Sequence, residues 1–234
     1  MADEKVDDVL RAWRRVPHAP ALQHGGVHVW RVRLGAPLED VPSSLSPEEF
    51  ERASRLQGRA RARFTATRAA LRARLAGYLG RAPAAITFRY GETGKPLLLE
   101  AEDVHFSVAH SGDVALIAIA RGPALGVDLE RVRTVPRRAR VAARVLAPAS
   151  AAMLRELPDA QQDDAFIWAW TQREAYVKAI GGGVLRSEDP LPLLWPPRRC
   201  IARGWSIFPL EAQARHRACL VVQGNAVPEL LELD

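Results

Sequence analysis

Three segments carry residue types whose spacing could do chemistry. The first is Gly126-Val127-Asp128-Leu129-Glu130. On a strand, residues i and i+2 point to one face, so Asp128 and Glu130 project together and Val127 and Leu129 point the other way. Two carboxylates side by side repel unless a cation sits between them. A hard divalent ion held through oxygen, Mg²⁺ or Mn²⁺, would relieve that repulsion. The pair also reads as a strand end with one acid solvated and the other paired to Arg131 or Arg133. The second segment runs from Trp170 to Lys178, where Glu174 and Lys178 stand four apart and share a helix face. Phe166, Trp170 and Val177 form the apolar stripe, and Glu174 falls at its edge, where a partly buried acid needs a partner. An exposed Glu–Lys pair worth about 0.3–0.5 kcal/mol is the plainer alternative. Of 33 basic residues only Lys5, Lys95 and Lys178 are lysine, and a lysine kept where Arg fills nearly every basic position points to a need for a compact charge. The third segment is Phe106-Ser107-Val108-Ala109-His110-Ser111. His110 ends a strand before the turn at Ser111-Gly112-Asp113, where it can reach a ligand or simply face solvent. Gly94-Lys95-Pro96 is explained by a turn alone. Arg68 sits just off the apolar stripe of its helix, with Arg61 and Arg72 on the same side; it can form a phosphate fork or snorkel.

These residues need elements to hold them. Residues 27–34 alternate as a strand. Ser46, Pro47 and Glu49 spell a helix start with a capping box. That helix breaks near Gln57-Gly58 and resumes to about Leu79, with Phe64, Leu71, Leu75 and Tyr78 on one stripe. Strands are expected at 86–90, 104–109, 114–120 and 125–131, with the loop Gly91 to Pro96 between the first two. Residues 136–157 read as helix interrupted at Pro148, and 163–180 as a helix ended by Gly181-Gly182-Gly183. A Pro-rich stretch at 190–197 precedes strands at 205–208 and 217–222. Strands and helices do not alternate strictly, so the expected class is α+β.

Composition sets the frame. The chain has 234 residues, 48% hydrophobic and 26% charged, enough for a core without staples. Cys200 and Cys219 lack the spacing of a disulfide framework or a zinc site. The start, MADEKVDDVL, has no apolar h-region, and the longest apolar run, Val114 to Ala120, falls far short of the roughly 20 residues of a membrane span. A cytoplasmic protein, off the membrane, is expected. Net charge is +6, and residues 51–90 hold ten Arg against the single acid Glu51. Such a surface attracts phosphates, nucleic acid or an acidic protein.

In order, the chain shows Arg68 in a basic helix, Gly94-Lys95-Pro96, Phe106-x-x-x-His110-Ser111, Gly126-Val127-Asp128-Leu129-Glu130 and Trp170-x-x-x-Glu174-Ala175-x-x-x-Lys178. This resembles the 4′-phosphopantetheinyl transferases of the large, double-length Sfp-type, over about residues 46–222. The family's usual FNxSHS carries Ser107 for Asn and Ala109 for Ser here, and its KEA triplet is Arg173-Glu174-Ala175. The resemblance implies two similar α+β halves, 1–122 and 123–234, related by a pseudo-two-fold axis with the site in the cleft between them. It implies Mg²⁺-dependent transfer of the phosphopantetheine arm of coenzyme A to a serine of an apo acyl or peptidyl carrier protein, with release of adenosine 3′,5′-bisphosphate. Asp128, Glu130 and Glu174 would hold the metal. Glu174 would act as base and Lys178 would stabilise the leaving phosphate. Arg52, Arg55, Arg68, Gly94, Lys95, His110, Asp128 and Lys178 would bind coenzyme A. The partner would be an acidic carrier surface, and the protein a monomer. Two other readings stand beside it. A basic nucleic-acid-binding module leaves the three acids without a purpose and would need exposed aromatics interleaved with the Arg run, which the pattern does not offer, so no nucleic-acid partner is expected. A homologue that binds coenzyme A or a carrier without transfer is kept open by Ser107 and Ala109.

Overall fold

The computed structural model describes residues 12–35, 41–91, 94–99, 101–182 and 191–233. In chain order its elements are β1 (Arg14–Val16), β2 (Val27–Arg33), α1 (Pro47–Ser54), α2 (Gly58–Leu79), β3 (Phe88–Tyr90), β4 (Pro96–Leu98), β5 (Val104–Ser111), β6 (Val114–Arg121), β7 (Leu125–Arg131), α3 (Arg138–Val145), α4 (Pro148–Glu156), α5 (Asp159–Ile180), β8 (Cys200–Ala202), β9 (Trp205–Leu210), β10 (His216–Gln223) and β11 (Glu229–Leu233). Single helical turns lie at Val41–Ser44 and Pro83–Ala85.

The apolar run in β6 is buried on both faces because it is the middle of a layered stack. Val114, Leu116, Ala118 and Ala120 join Val127, Leu129, Phe208, Leu220 and Val222 in one core between two sheets. Ile117 and Ile119 turn to the other side, against Leu71 and Leu75 of α2. In β10 the same alternation sends Cys219 and Val221 to Ala175 and Ala179 of α5. The layers are therefore helix, sheet, sheet, helix, an α+β arrangement. The first sheet has order β1-β11-β2-β6-β5, the second β7-β10-β9-β8, and β3-β4 is a separate hairpin.

The sheets share a local order. In β2-β6-β5 and in β7-β10-β9, the first strand of the segment pairs with the last, and the middle strand lies outside. Each segment carries a 22-residue helix closed by a left-handed glycine, Gly80 or Gly181. The sheets divide at Gly122, except that β11 crosses back to pair in parallel with β1 and β2.

Most expected elements are present, and the differences have local causes. The capping box at Ser46 forms, with Glu49 returning its carboxylate to the Ser46 amide at 3.0 Å. Helix α5 starts at Asp159 rather than at 163. Its first turn is polar and is held by Arg138, which bonds Asp159, Gln162 and Asp163 at 2.6–2.7 Å. Pro96–Leu98, within and just beyond the expected loop, forms a strand against β3. Strand β11 has Leu230 and Leu231 buried in succession, so it shows no alternation. Glu92, Thr93, Gly183, Pro190 and the first eleven residues lie outside the described residues.

Candidate active site

Strand β7 sends Leu125, Val127 and Leu129 into the inter-sheet core, which leaves Gly126, Asp128 and Glu130 on the face covered by α5. Gly126 permits that cover. A Cβ there would stand 2.0 Å from the Ala175 carbonyl oxygen and 2.5 Å from the Ala179 nitrogen. Only a residue without a side chain lets the helix lie so close, and the approach carries Glu174 and Lys178 to the β7 acids.

Lys178 Nζ donates to Asp128 Oδ1 at 2.7 Å and to the Val127 carbonyl at 3.1 Å, and reaches the Val108 carbonyl of β5 at 3.4 Å. Asp128 is 6% exposed, and its second oxygen, Oδ2, is buried with no hydrogen-bond partner. Burial pushes the Asp128 carboxyl up from its ordinary value, while Lys178 pulls it back. Burial also raises Glu130 and Glu174, and the Asp128 charge raises each further. Arg173 holds Glu174 Oε1 at 3.1 Å. Lys95 Nζ donates to the carbonyl of Lys178, in the last turn of α5, and sits 3.4 Å from that of Leu125. Burial and the neighbouring Lys178 lower its pKa to about 8. His110, at the exposed end of β5, is lowered by burial and then by Lys178 and Arg63.

Lys95, in the turn just before β4, therefore joins His110, Asp128, Glu130, Glu174 and Lys178 of β5, β7 and α5 in one charged group. Arg52, Arg55 and Arg68 belong to another, at the α1–α2 corner. Arg68 and Arg72 both grip Glu49, with Arg72 Nε at 2.5 Å, and both stack on Phe88 at 4.8 and 5.2 Å. Arg72 is 1% exposed and also donates to the Pro83 and Ile86 carbonyls at 2.9 Å. Arg52 lies over Phe64, and exposed Arg55 pairs with Glu51. Gly94 takes a left-handed turn beside Lys95.

Among the described residues no group of three or more His, Cys, Asp or Glu side chains is gathered tightly enough to enclose a metal ion. The donor set nonetheless suits a hard cation: three carboxylates face one region, and one buried oxygen, Asp128 Oδ2, has no partner.

Sequence reasoning missed the parts played by five residues. Glu49 reads as a cap and is also the anchor of two guanidiniums. The close approach at Gly126 has no local signal. Arg173 is visible only as a positive neighbour of Glu174. Ser107 and Ser111 accept from the Val127 and Arg131 amides at 3.1 and 3.0 Å, pairings set by the fold and not by the residues around them.

Residues 124–203, which span β7 to just beyond β8, match the family model described as the 4′-phosphopantetheinyl transferase superfamily. The chain is 35% identical over 222 residues to the 4′-phosphopantetheinyl transferase HetI of Nostoc sp. strain PCC 7120, covering 91% of this chain and 94% of that protein. It is 29% identical over 160 residues to a 4′-phosphopantetheinyl transferase of Bacillus subtilis, covering 68% and 70%. It is 30% identical over 99 residues to the 4′-phosphopantetheinyl transferase Sfp of Bacillus subtilis strain 168, covering 42% and 43%.

Proposed function

The chain belongs to the 4′-phosphopantetheinyl transferase superfamily, and from that premise we propose how its residues move the phosphopantetheine arm of coenzyme A onto a carrier-protein serine. The observation that carries the proposal is Asp128, buried, with one oxygen on Lys178 and the other without a partner. Asp128, Glu130 and Glu174 would hold Mg²⁺, which when bound neutralises pyrophosphate charge. The serine oxygen attacks the phosphorus next to the pantetheine. The new bond is a phosphodiester, and the bond broken is the pyrophosphate link to adenosine 3′,5′-bisphosphate. Glu174, raised by burial, takes the serine proton. Lys178 meets the charge that develops on the departing phosphate. Lys95 and His110 face the coenzyme A phosphates. From the α1–α2 corner Arg52, Arg55 and Arg68 add positive field; one Glu49 carboxylate between two guanidiniums leaves that cluster net positive.

The two halves, 1–122 and 123–234, are read as a tandem pair with a pseudo-two-fold axis between the sheets, supported by their matching strand order. The partner is an apo carrier protein with an acidic surface, steered by the basic chain. The enzyme is read as a cytoplasmic monomer; among the described residues no helix is long and apolar enough to cross a membrane. Incubation of the protein with coenzyme A, Mg²⁺ and a panel of apo carriers tests the proposal. Mass spectrometry should show one phosphopantetheine gained by at least one carrier, lost on addition of EDTA. No gain by any carrier contradicts it.

A further inference from the structure

Strands β5 and β7 are the neighbouring edges of the two sheets, yet no backbone ladder joins them. The outer edge of β7 carries the N–H and C=O groups of alternate residues, and each group needs a partner. Side chains supply these partners. Lys95 lies 3.4 Å from the Leu125 carbonyl, Ser107 Oγ accepts from the Val127 amide at 3.1 Å, Lys178 donates to the Val127 carbonyl at 3.1 Å, and Ser111 Oγ accepts from the Arg131 amide at 3.0 Å. The Leu129 amide lies between the two serine-bonded amides. Ser107 to Val127 and Ser111 to Arg131 make the same four-residue step in one direction, so the strands run parallel at a fixed offset. Two serine hydroxyls stand where a neighbouring strand would place carbonyls. This seam lies directly under the chemistry: His110 belongs to β5, Asp128 and Glu130 to β7, and Lys178 reaches across to the Val108 carbonyl at 3.4 Å.

We propose that Ser107 and Ser111 are positioning residues, a hydroxyl seam that sets the register between the strand bearing His110 and the strand bearing Asp128 and Glu130. The proposal rests on the transferase reading for its kinetic consequence and on the fold alone for the seam. Ala109 completes the argument. It lies between the two serines and packs in the same core as Val127 and Leu129, at the register position of the Leu129 amide. An apolar methyl there offers the Leu129 amide no acceptor from β5, so the hydroxyls stand only at the two ends of the seam.

The test uses the full chain, with amide hydrogen exchange followed residue by residue and transfer measured on an apo carrier. Ser107→Ala should speed exchange at Val127, and Ser111→Ala at Arg131, each about tenfold, the loss of one hydrogen bond. The double alanine variant should lose about tenfold in kcat/KM for coenzyme A, because a small misplacement of reacting groups is costly. The double threonine variant, which keeps both hydroxyls, should return to within about threefold of wild type. Ser206→Ala is the control; it removes a buried hydroxyl bonded to the Gly224 carbonyl at 2.6 Å, far from the seam in sequence and partners, and should leave kcat/KM unchanged. Unchanged protection at Val127 and Arg131 overturns the seam. Faster exchange with wild-type kcat/KM overturns the positioning role. If the double alanine variant fails to fold, the single and threonine variants decide on the same two readouts. A wild-type protein that transfers nothing overturns the functional reading, and the exchange result then stands for or against the seam by itself.

Discussion

Two charged clusters in this protein use the same ingredients to opposite ends. At the α1–α2 corner, Glu49 is 4% exposed and both its oxygens are taken, by Arg68 and Arg72, whose guanidiniums also stack on Phe88. Where α5 crosses β7, three carboxylates press on one another, and Asp128 keeps a buried oxygen without a partner. In the first cluster both carboxylate oxygens are already taken, and it holds the fold. The second has kept capacity in reserve, and that reserve is what a ligand can use. Burial of charge alone does not distinguish a site from a staple; whether the carboxylate oxygens are already taken does.

Breaking each cluster should therefore do different things. The largest stability effect is expected for Glu49→Ala, which strands Arg72 in the interior. Removal of one partner of a buried pair costs about 3–5 kcal/mol, read as a lower melting temperature, while transfer measured well below that temperature stays within a few fold of wild type. Lys178→Met reverses the emphasis. It should cut transfer about 10²–10³-fold, the scale of a lost transition-state donor, with a smaller stability loss because Lys178 is partly exposed. Gly126→Ala sharpens the contrast further, since its Cβ meets backbone at 2.0 Å. A forced shift of α5 should cost about 1–3 kcal/mol and reduce transfer without removing a single polar group.

Lys95 gives a pH signature. Its folded pKa, about 8, lies below the unfolded value near 10.4. Between these values the unfolded chain binds more protons, so the Lys95 contribution to stability rises as pH increases from about 8 to about 10. Denaturant unfolding across that range should show the rise in wild type and its loss in Lys95→Met. The smallest effect belongs to the exposed Arg55–Glu51 pair; Glu51→Ala should change stability by about 0.3–0.5 kcal/mol.

Much of this was legible in the sequence, and what was not has a common cause. Period-two alternation and cap residues report on local backbone, so β7 and the capping box at Ser46 were readable to the residue. The shared face of Asp128 and Glu130, and that of Glu174 and Lys178, follow from local periodicity. The meeting of those two faces does not, because it depends on a helix seated on Gly126 some fifty residues away. The same limit hid the partners of Arg68. Its place beside the apolar stripe was visible, but Glu49, nineteen residues earlier, looked fully explained as a cap. Strand β11 escaped because it is buried on both faces and pairs with strands at the far end of the chain.

The central claim is that transfer depends on the carboxylates gathered between β7 and α5. Single-turnover transfer to an apo carrier by Asp128→Asn, Glu130→Gln and Glu174→Gln, each confirmed as folded by its melting transition, tests it most directly. Every one of the three should fall by at least about 10²-fold. If two of them transferred within a few fold of wild type, the chemistry would have to lie elsewhere in the molecule.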